Sequence, residues 1–162
     1  MTDAARIDSR KVRAFSRDVM AAAGCTNPEA ELVADVLVEA DLRGVFSHGV
    51  MRLTSYAEMI KDGRMRPGAE IREVISHGSV VVLDANHSVG PVSAAFGIDR
   101  AIELATAGAT AFVFVRNGSH FGPAAHWALR ATEADCVGFC LSTGGGASGV
   151  LAYGSREIAL TN

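Results

Sequence analysis

An α/β architecture is what this sequence predicts: a helical segment over 1–66, then a layered unit of strands and helices over 67–162. Three observations carry the prediction. Apolar residues recur at helical spacing as far as residue 62. The stretch GRMRPGAE (63–70) then gathers Pro67 with Gly63 and Gly68 and breaks that period. Beyond it, short runs rich in β-branched residues alternate with helical ones, which is the order of a strand–helix–strand layer.

Taken in order, Asp8 is placed to cap a first helix with apolar positions Val12, Phe15, Val19 and Met20, and Gly24 stops it. Asn27 is expected to cap a second helix, with Pro28 at its first position and Glu29 in its first turn. Leu32, Val33, Val36, Leu37 and Ala40 form the buried stripe, and Gly44 ends the helix. A third helix is expected from about His48 to Asp62, with Leu53, Tyr56, Met59 and Ile60 inward. IREVIS (71–76) and SVVVLD (79–84), joined by His77-Gly78, read as a hairpin. VGPVSAAFGIDRAIELATAG (89–108) is a helix whose small residues suit close packing on something flat. TAFVFVR (110–116) and CVGFCLS (136–142) are continuous apolar runs, expected as strands buried on both faces, with a helix over 122–134 between them. A glycine-rich loop and one last strand follow Ser142.

Composition narrows the function. Hydrophobic residues make up 49% and charged residues 20% of 162, enough to fill a core and too apolar for a disordered chain. Net charge is −3 and no basic run stands out, which argues against a nucleic-acid partner, since such surfaces need clustered Lys and Arg. No apolar run approaches the roughly 20 residues of a membrane span, so no membrane partner is expected. The start MTDAARIDSRKVRAF lacks a signal-peptide layout, and three cysteines without a pairing pattern suit a reducing compartment, so the expected location is the cytoplasm.

Four groups of residues carry candidate chemistry. In SHGVMRL (47–53), Ser47 and His48 precede Arg52 by about one helical turn. An imidazole moves protons near neutral pH, and a guanidinium grips a carboxylate through two parallel hydrogen bonds. Together they suit a 2-oxo acid, with Gly49 letting the backbone approach a ligand. The same residues also suit an N-cap serine followed by a solvated helix face. In NGSHFGPAAHW (117–127), His120 lies between a strand and a helix, at the carboxyl end of a strand, where α/β layers bind ligands. His126 lies six residues on, a spacing that does not fit a shared metal, and no metal site is expected. GGGASG (144–149) matches a dinucleotide fingerprint only formally, because Tyr153-Gly154 interrupts the long helix that should follow it directly. Cys136 and Cys140 read as core residues on one strand face, and His77 and His87 as turn residues.

ADLRGVFSHGVMRLTSYAEMIKDG (40–63), SHFGPAAHWA (119–128) and AYGSREIALTN (152–162) together resemble the malate/L-lactate dehydrogenase family of the non-Rossmann type. That group includes ureidoglycolate and sulfolactate dehydrogenases, diketogulonate reductase and Δ1-piperideine-2-carboxylate reductase. The resemblance implies an oxidoreductase that uses NAD or NADP on a 2-hydroxy or 2-oxo acid, with a non-Rossmann mixed-sheet cofactor domain and a homodimeric state. It implies an acid/base role for His48, a carboxylate-binding role for Arg52 with Ser47 beside it, and a place for His120 near the nicotinamide, where it competes for the acid/base role. His120 and Thr143 are the expected cofactor contacts. The family's GTNP appears here as LTN, with Leu160 where glycine is usual. Family chains continue well beyond this point, so the chain is expected to be an N-terminal half, either of an active enzyme or of an inactive α/β module that only binds a ligand or partner chain.

Overall fold

A computed structural model describes residues 6–143, 149–151 and 158–161. Helix α1 (Ser9–Ala22) starts where expected: the Asp8 carboxylate accepts from the Arg10 amide at 2.8 Å. Helix α2 (Asn27–Leu42) is capped one residue earlier than the sequence suggests. Thr26, not Asn27, is the cap, because its hydroxyl accepts from the Glu29 amide while the Glu29 carboxylate accepts from the Thr26 amide. This reciprocal pairing satisfies two otherwise orphaned N–H groups. The other Glu29 oxygen accepts from Gly68 N at 2.7 Å, tying the start of α2 to the 63–70 turn. Residues Ala30, Val33, Ala34, Val36, Leu37, Val38 and Ala40 are all buried, which makes α2 the central helix, covered on more than one side.

The third helix corrects the sequence reading. Helix α3 runs Leu53–Lys61, not from His48. Residues 46–48 and 50–52 form two separate 3₁₀ turns, with Gly49 extended between them. The cause is Asp41 on α2. Its carboxylate accepts from the Val50 amide at 3.0 Å and fills the space a Cβ on residue 49 would need. The chain therefore bends at Gly49 before the helix begins. Tyr56 and Leu53 are buried in one cluster with Met20, Cys25, Ala30, Val33, Leu37, Met65 and Val89.

Strands β1 (Arg72–His77) and β2 (Val80–Asp84) form the expected hairpin, with a register shift between Glu73 and Ile75. Helix α4 (Gly90–Gly108) then crosses to strand β3 (Phe112–Arg116), which pairs parallel with β2. The sheet order β1–β2–β3 is thus mixed, as the resemblance implied. Gly97 lets α4 lie close to the sheet, since a Cβ there would meet Val115 at 3.3 Å and Leu83 and Val113 at 3.9 Å. Small residues in α4 have the packing role the sequence suggested.

Two expectations fail in this half. β3 is not buried on both faces: Phe112 and Phe114, paired with Val80 and Val82 away from α4, are exposed. Residues 136–142 form no strand, and Val137, Phe139 and Leu141 are exposed. An apolar run needs a neighbouring strand to satisfy its amides, and no pairing partner lies beside this one among the described residues. Cys136 and Cys140 are accordingly half-buried rather than core. Helix α5 (Ala124–Thr132) precedes that segment, packed on α4, with Trp127 buried. Strands β4 (Gly149–Leu151) and β5 (Ile158–Thr161, which includes Leu160) pair antiparallel, two strands where one was expected. No helix among the described residues is long and apolar enough to cross a membrane.

Candidate active site

The two histidines singled out in the sequence, 72 positions apart, meet. The rings of His48 and His120 lie 5.2 Å apart, tilted by 31°. His48 comes from the 3₁₀ turn before α3, and His120 from the loop between β3 and α5. The loop that carries His120 is packed closely at two glycines. A Cβ on Gly90, at the start of α4, would collide with the His120 carbonyl. Gly122 has φ +84, and a Cβ there would press on Val36 of α2.

Ser47 does not cap a helix. Its hydroxyl bonds His48 Nδ1 at 2.9 Å and so orients the ring. Arg52 donates from Nε to the Ser47 carbonyl at 2.6 Å, which closes the 47–52 bend on itself. Arg52 thus meets the histidines through the bend at Gly49, not through an α-helical turn. Its charge acts on the whole cluster. Burial, with Arg52 second, holds His48 below its ordinary 6.5. Burial, then Arg52 and His48, lowers His120 to about 4, so its ring is neutral at pH 7.

Tyr56 completes the group, and sequence reasoning placed it only as a core residue. Its ring is 1% exposed, yet its hydroxyl sits 2.7 Å from His120 Nδ1. Burial pushes the phenol well up, with Arg52 partly opposing, so the hydroxyl keeps its proton. The signal available in the sequence was chemical: a buried tyrosine needs a partner for its O–H. A second device the sequence did not mark closes the ends of β2 and β3. Asp84 accepts from Asn86 N at 2.9 Å, Asn117 Nδ2 at 3.0 Å and Arg116 Nε at 3.1 Å. These contacts hold the chain three residues before His120.

The remaining candidates lie elsewhere. Thr143 is exposed, and no hydrogen bond joins it to the histidines among the described residues. Residues 144–148 of the GGGASG stretch, and 152–157 and 162 of the AYGSREIALTN stretch, lie outside the described residues. His126 bonds Glu39 at 2.7 Å and stands edge-on to Trp127, fastening α5 to α2. His87 is in a turn, with φ 60, and His77 ends β1.

A family model described as malate/L-lactate dehydrogenase matches residues 7–162. The chain belongs to the malate/L-lactate dehydrogenase family. Among its relatives is a malate dehydrogenase of Pyrococcus abyssi, 33% identical over 162 positions that cover 96% of this chain and 44% of that protein. Malate dehydrogenase from Pyrococcus horikoshii OT3 superposes with a TM-score of 0.78 at 34% identity, covering 80% of this chain and 37% of that one. Sulfolactate dehydrogenase from Methanocaldococcus jannaschii superposes with a TM-score of 0.76 at 29% identity, covering 80% and 38%. The chain spans well under half the length of these relatives.

Proposed function

We propose that the protein is an NAD- or NADP-dependent oxidoreductase interconverting a 2-hydroxy acid and its 2-oxo acid. The observation that supports this most is the convergence of His48, His120 and Arg52 from separate elements into one cluster, in a chain of this family. Arg52 holds the substrate carboxylate. His48 gives a proton to the C2 oxygen in reduction and takes it back in oxidation, while its Ser47 partner keeps the ring oriented. His120 stands beside His48, its ring 5.2 Å away. Imidazole and guanidinium move protons and hold charge but carry no hydride, so this donor set fits a site served by a separate carrier. The nicotinamide, when bound, supplies or accepts the hydride at C2. His120 and Thr143 are the residues we assign to contact it. In this reading, residues 1–66 supply the acid/base and carboxylate side, and residues 67–162 begin the cofactor domain. We place the enzyme in the cytoplasm as a homodimer, with no nucleic-acid or membrane partner. The test is steady-state NADH and NADPH oxidation by the full-length protein over a panel of 2-oxo acids. Turnover that vanishes when the acid is replaced by its amide supports the reading. Absence of turnover with every 2-oxo acid sinks it in favour of a non-catalytic binding module.

A further inference from the structure

The two histidines have different kinds of partner. His48 Nδ1 faces a serine hydroxyl, which can donate to a bare ring nitrogen or accept from a protonated one. His48 can therefore change protonation state without losing its partner. His120 Nδ1 faces two groups: the Tyr56 hydroxyl at 2.7 Å and the Gly122 amide at 3.4 Å. A backbone amide can only donate. Nδ1 must then present its lone pair, and the Tyr56 hydroxyl donates to it as well. In a neutral imidazole the proton is left on Nε2, the one ring nitrogen free for a ligand.

We propose that Tyr56 is a positioning residue that locks His120 as the Nε2–H tautomer, so that His120 serves the substrate C2 oxygen as a fixed hydrogen-bond donor while proton transfer stays with His48. The proposal rests on reading this cluster as the 2-oxo acid site. In the reducing direction the hydride from the nicotinamide forms the new C2–H bond. The C2 oxygen takes its proton from the His48 imidazolium, leaving His48 neutral, and the Nε2 proton of His120 never leaves the ring. Loss of that proton would create an imidazolate, a base far too strong to form near neutral pH. The surroundings of His120 agree: burial first, then the Arg52 guanidinium and His48, keep a second proton off the ring. A flip that traded one nitrogen for the other would give up both contacts to Nδ1, from Tyr56 and from the Gly122 amide.

The test is a long-range proton–nitrogen NMR correlation on full-length protein labelled with ¹⁵N-histidine, at pH 7. The expected pattern for His120, assigned by its loss in His120→Gln, is a lone-pair-type Nδ1 and a protonated-type Nε2. Tyr56→Phe keeps the ring in the core and should leave only the long Gly122 contact. The His120 nitrogens should then move toward averaged values, and kcat should fall about tenfold with KM little changed, the scale of one lost hydrogen bond. A protonated Nδ1 in the wild type overturns the proposal, as does a tautomer unmoved by Tyr56→Phe. If the expected pattern appears in a protein that turns over no 2-oxo acid, the tautomer lock is supported and only the substrate reading fails.

Discussion

The helical half and the sheet half satisfy their apolar residues very differently. In α1–α3 a closed cluster forms, with Met20, Val33 and Leu37 fully buried and Tyr56 nearly so, while Phe15 and Leu42 at its margin stay exposed. In the sheet half Phe112, Phe114 and Phe139 are 59%, 57% and 85% exposed. The difference is one of range. A helix satisfies its own backbone and needs only a neighbour for its stripe, and here α1, α2 and α3 are close in sequence. A strand needs a partner for its amides and cover for two faces, and those come from distant chain. The histidine pair lies on the seam, one ring from each half.

Because the two halves meet at that pair, the largest expected effect tests whether both contribute equally. His48→Ala should lower kcat by about 10²–10⁴-fold, the usual worth of a general acid, with a smaller change in KM. His120→Gln keeps a side-chain N–H donor and should cost less. Steady-state kinetics of both variants decide the matter. Equal losses would break the division, and an untouched kcat in His48→Ala would move the acid to His120.

Stability should show the same contrast. Leu37→Ala opens a cavity in the closed core and should cost about 2–5 kcal/mol. Phe139→Ala removes an exposed ring and should stay within about 0.5 kcal/mol. Urea denaturation measures both. Residues 1–162 expressed alone should self-associate through the exposed Phe112, Phe114, Phe139 and Leu141, and Phe139→Ala should lessen this in light scattering. A large loss from Phe139→Ala would mean that this ring is covered in solution, and the contrast between the halves would disappear.

What could be read from the sequence follows the same division. Helical spacing placed α1 and α2, because each declares its apolar stripe locally, and a run of small residues placed α4. The SHG and SHFG elements marked His48, Arg52 and His120. The bend at Gly49 was not legible, since it depends on Asp41 arriving from α2. Tyr56 was hidden because an inward tyrosine at helical spacing looks like any core residue until its hydroxyl finds His120. The strand expected over 136–142 failed because composition shows that a run wants cover but not what supplies it.

Arg52→Lys should raise KM for the 2-oxo acid about tenfold or more while keeping the charge, because an ammonium lacks the planar fork that grips a carboxylate. The measurement is KM for a 2-oxo acid against its amide. Equal discrimination by wild type and variant would remove Arg52 as the anchor and leave it as the brace of the Ser47 carbonyl that the 2.6 Å contact already makes it.

The smallest effect concerns acid stability, and here the seam should differ from both halves. His120 falls from 6.5 to about 4 on folding, through burial first and then through Arg52 and His48. Between those values the unfolded chain binds a proton on this ring that the folded chain does not. Stability therefore rises with pH through that window, and it is lost as pH falls from about 6.5 toward 4. His48, also lowered, acts in the same direction. Displaced carboxylates do not fill the upper part of this window. Glu39 is raised by burial but held below its ordinary 4.5 by Arg43 and His126, and Asp84 is held below 3.8 by Asn117 and the Asn86 amide. Their contributions fade only at lower pH. Cys25 in the helical core is pushed up to about 12 by burial and has no part at acid pH. Urea midpoints at pH 7, 6 and 5 should therefore fall in the wild type and fall less in His120→Gln. Equal slopes in the two proteins would mean that His120 keeps its proton affinity on folding, and that burial, Arg52 and His48 do not hold its ring neutral.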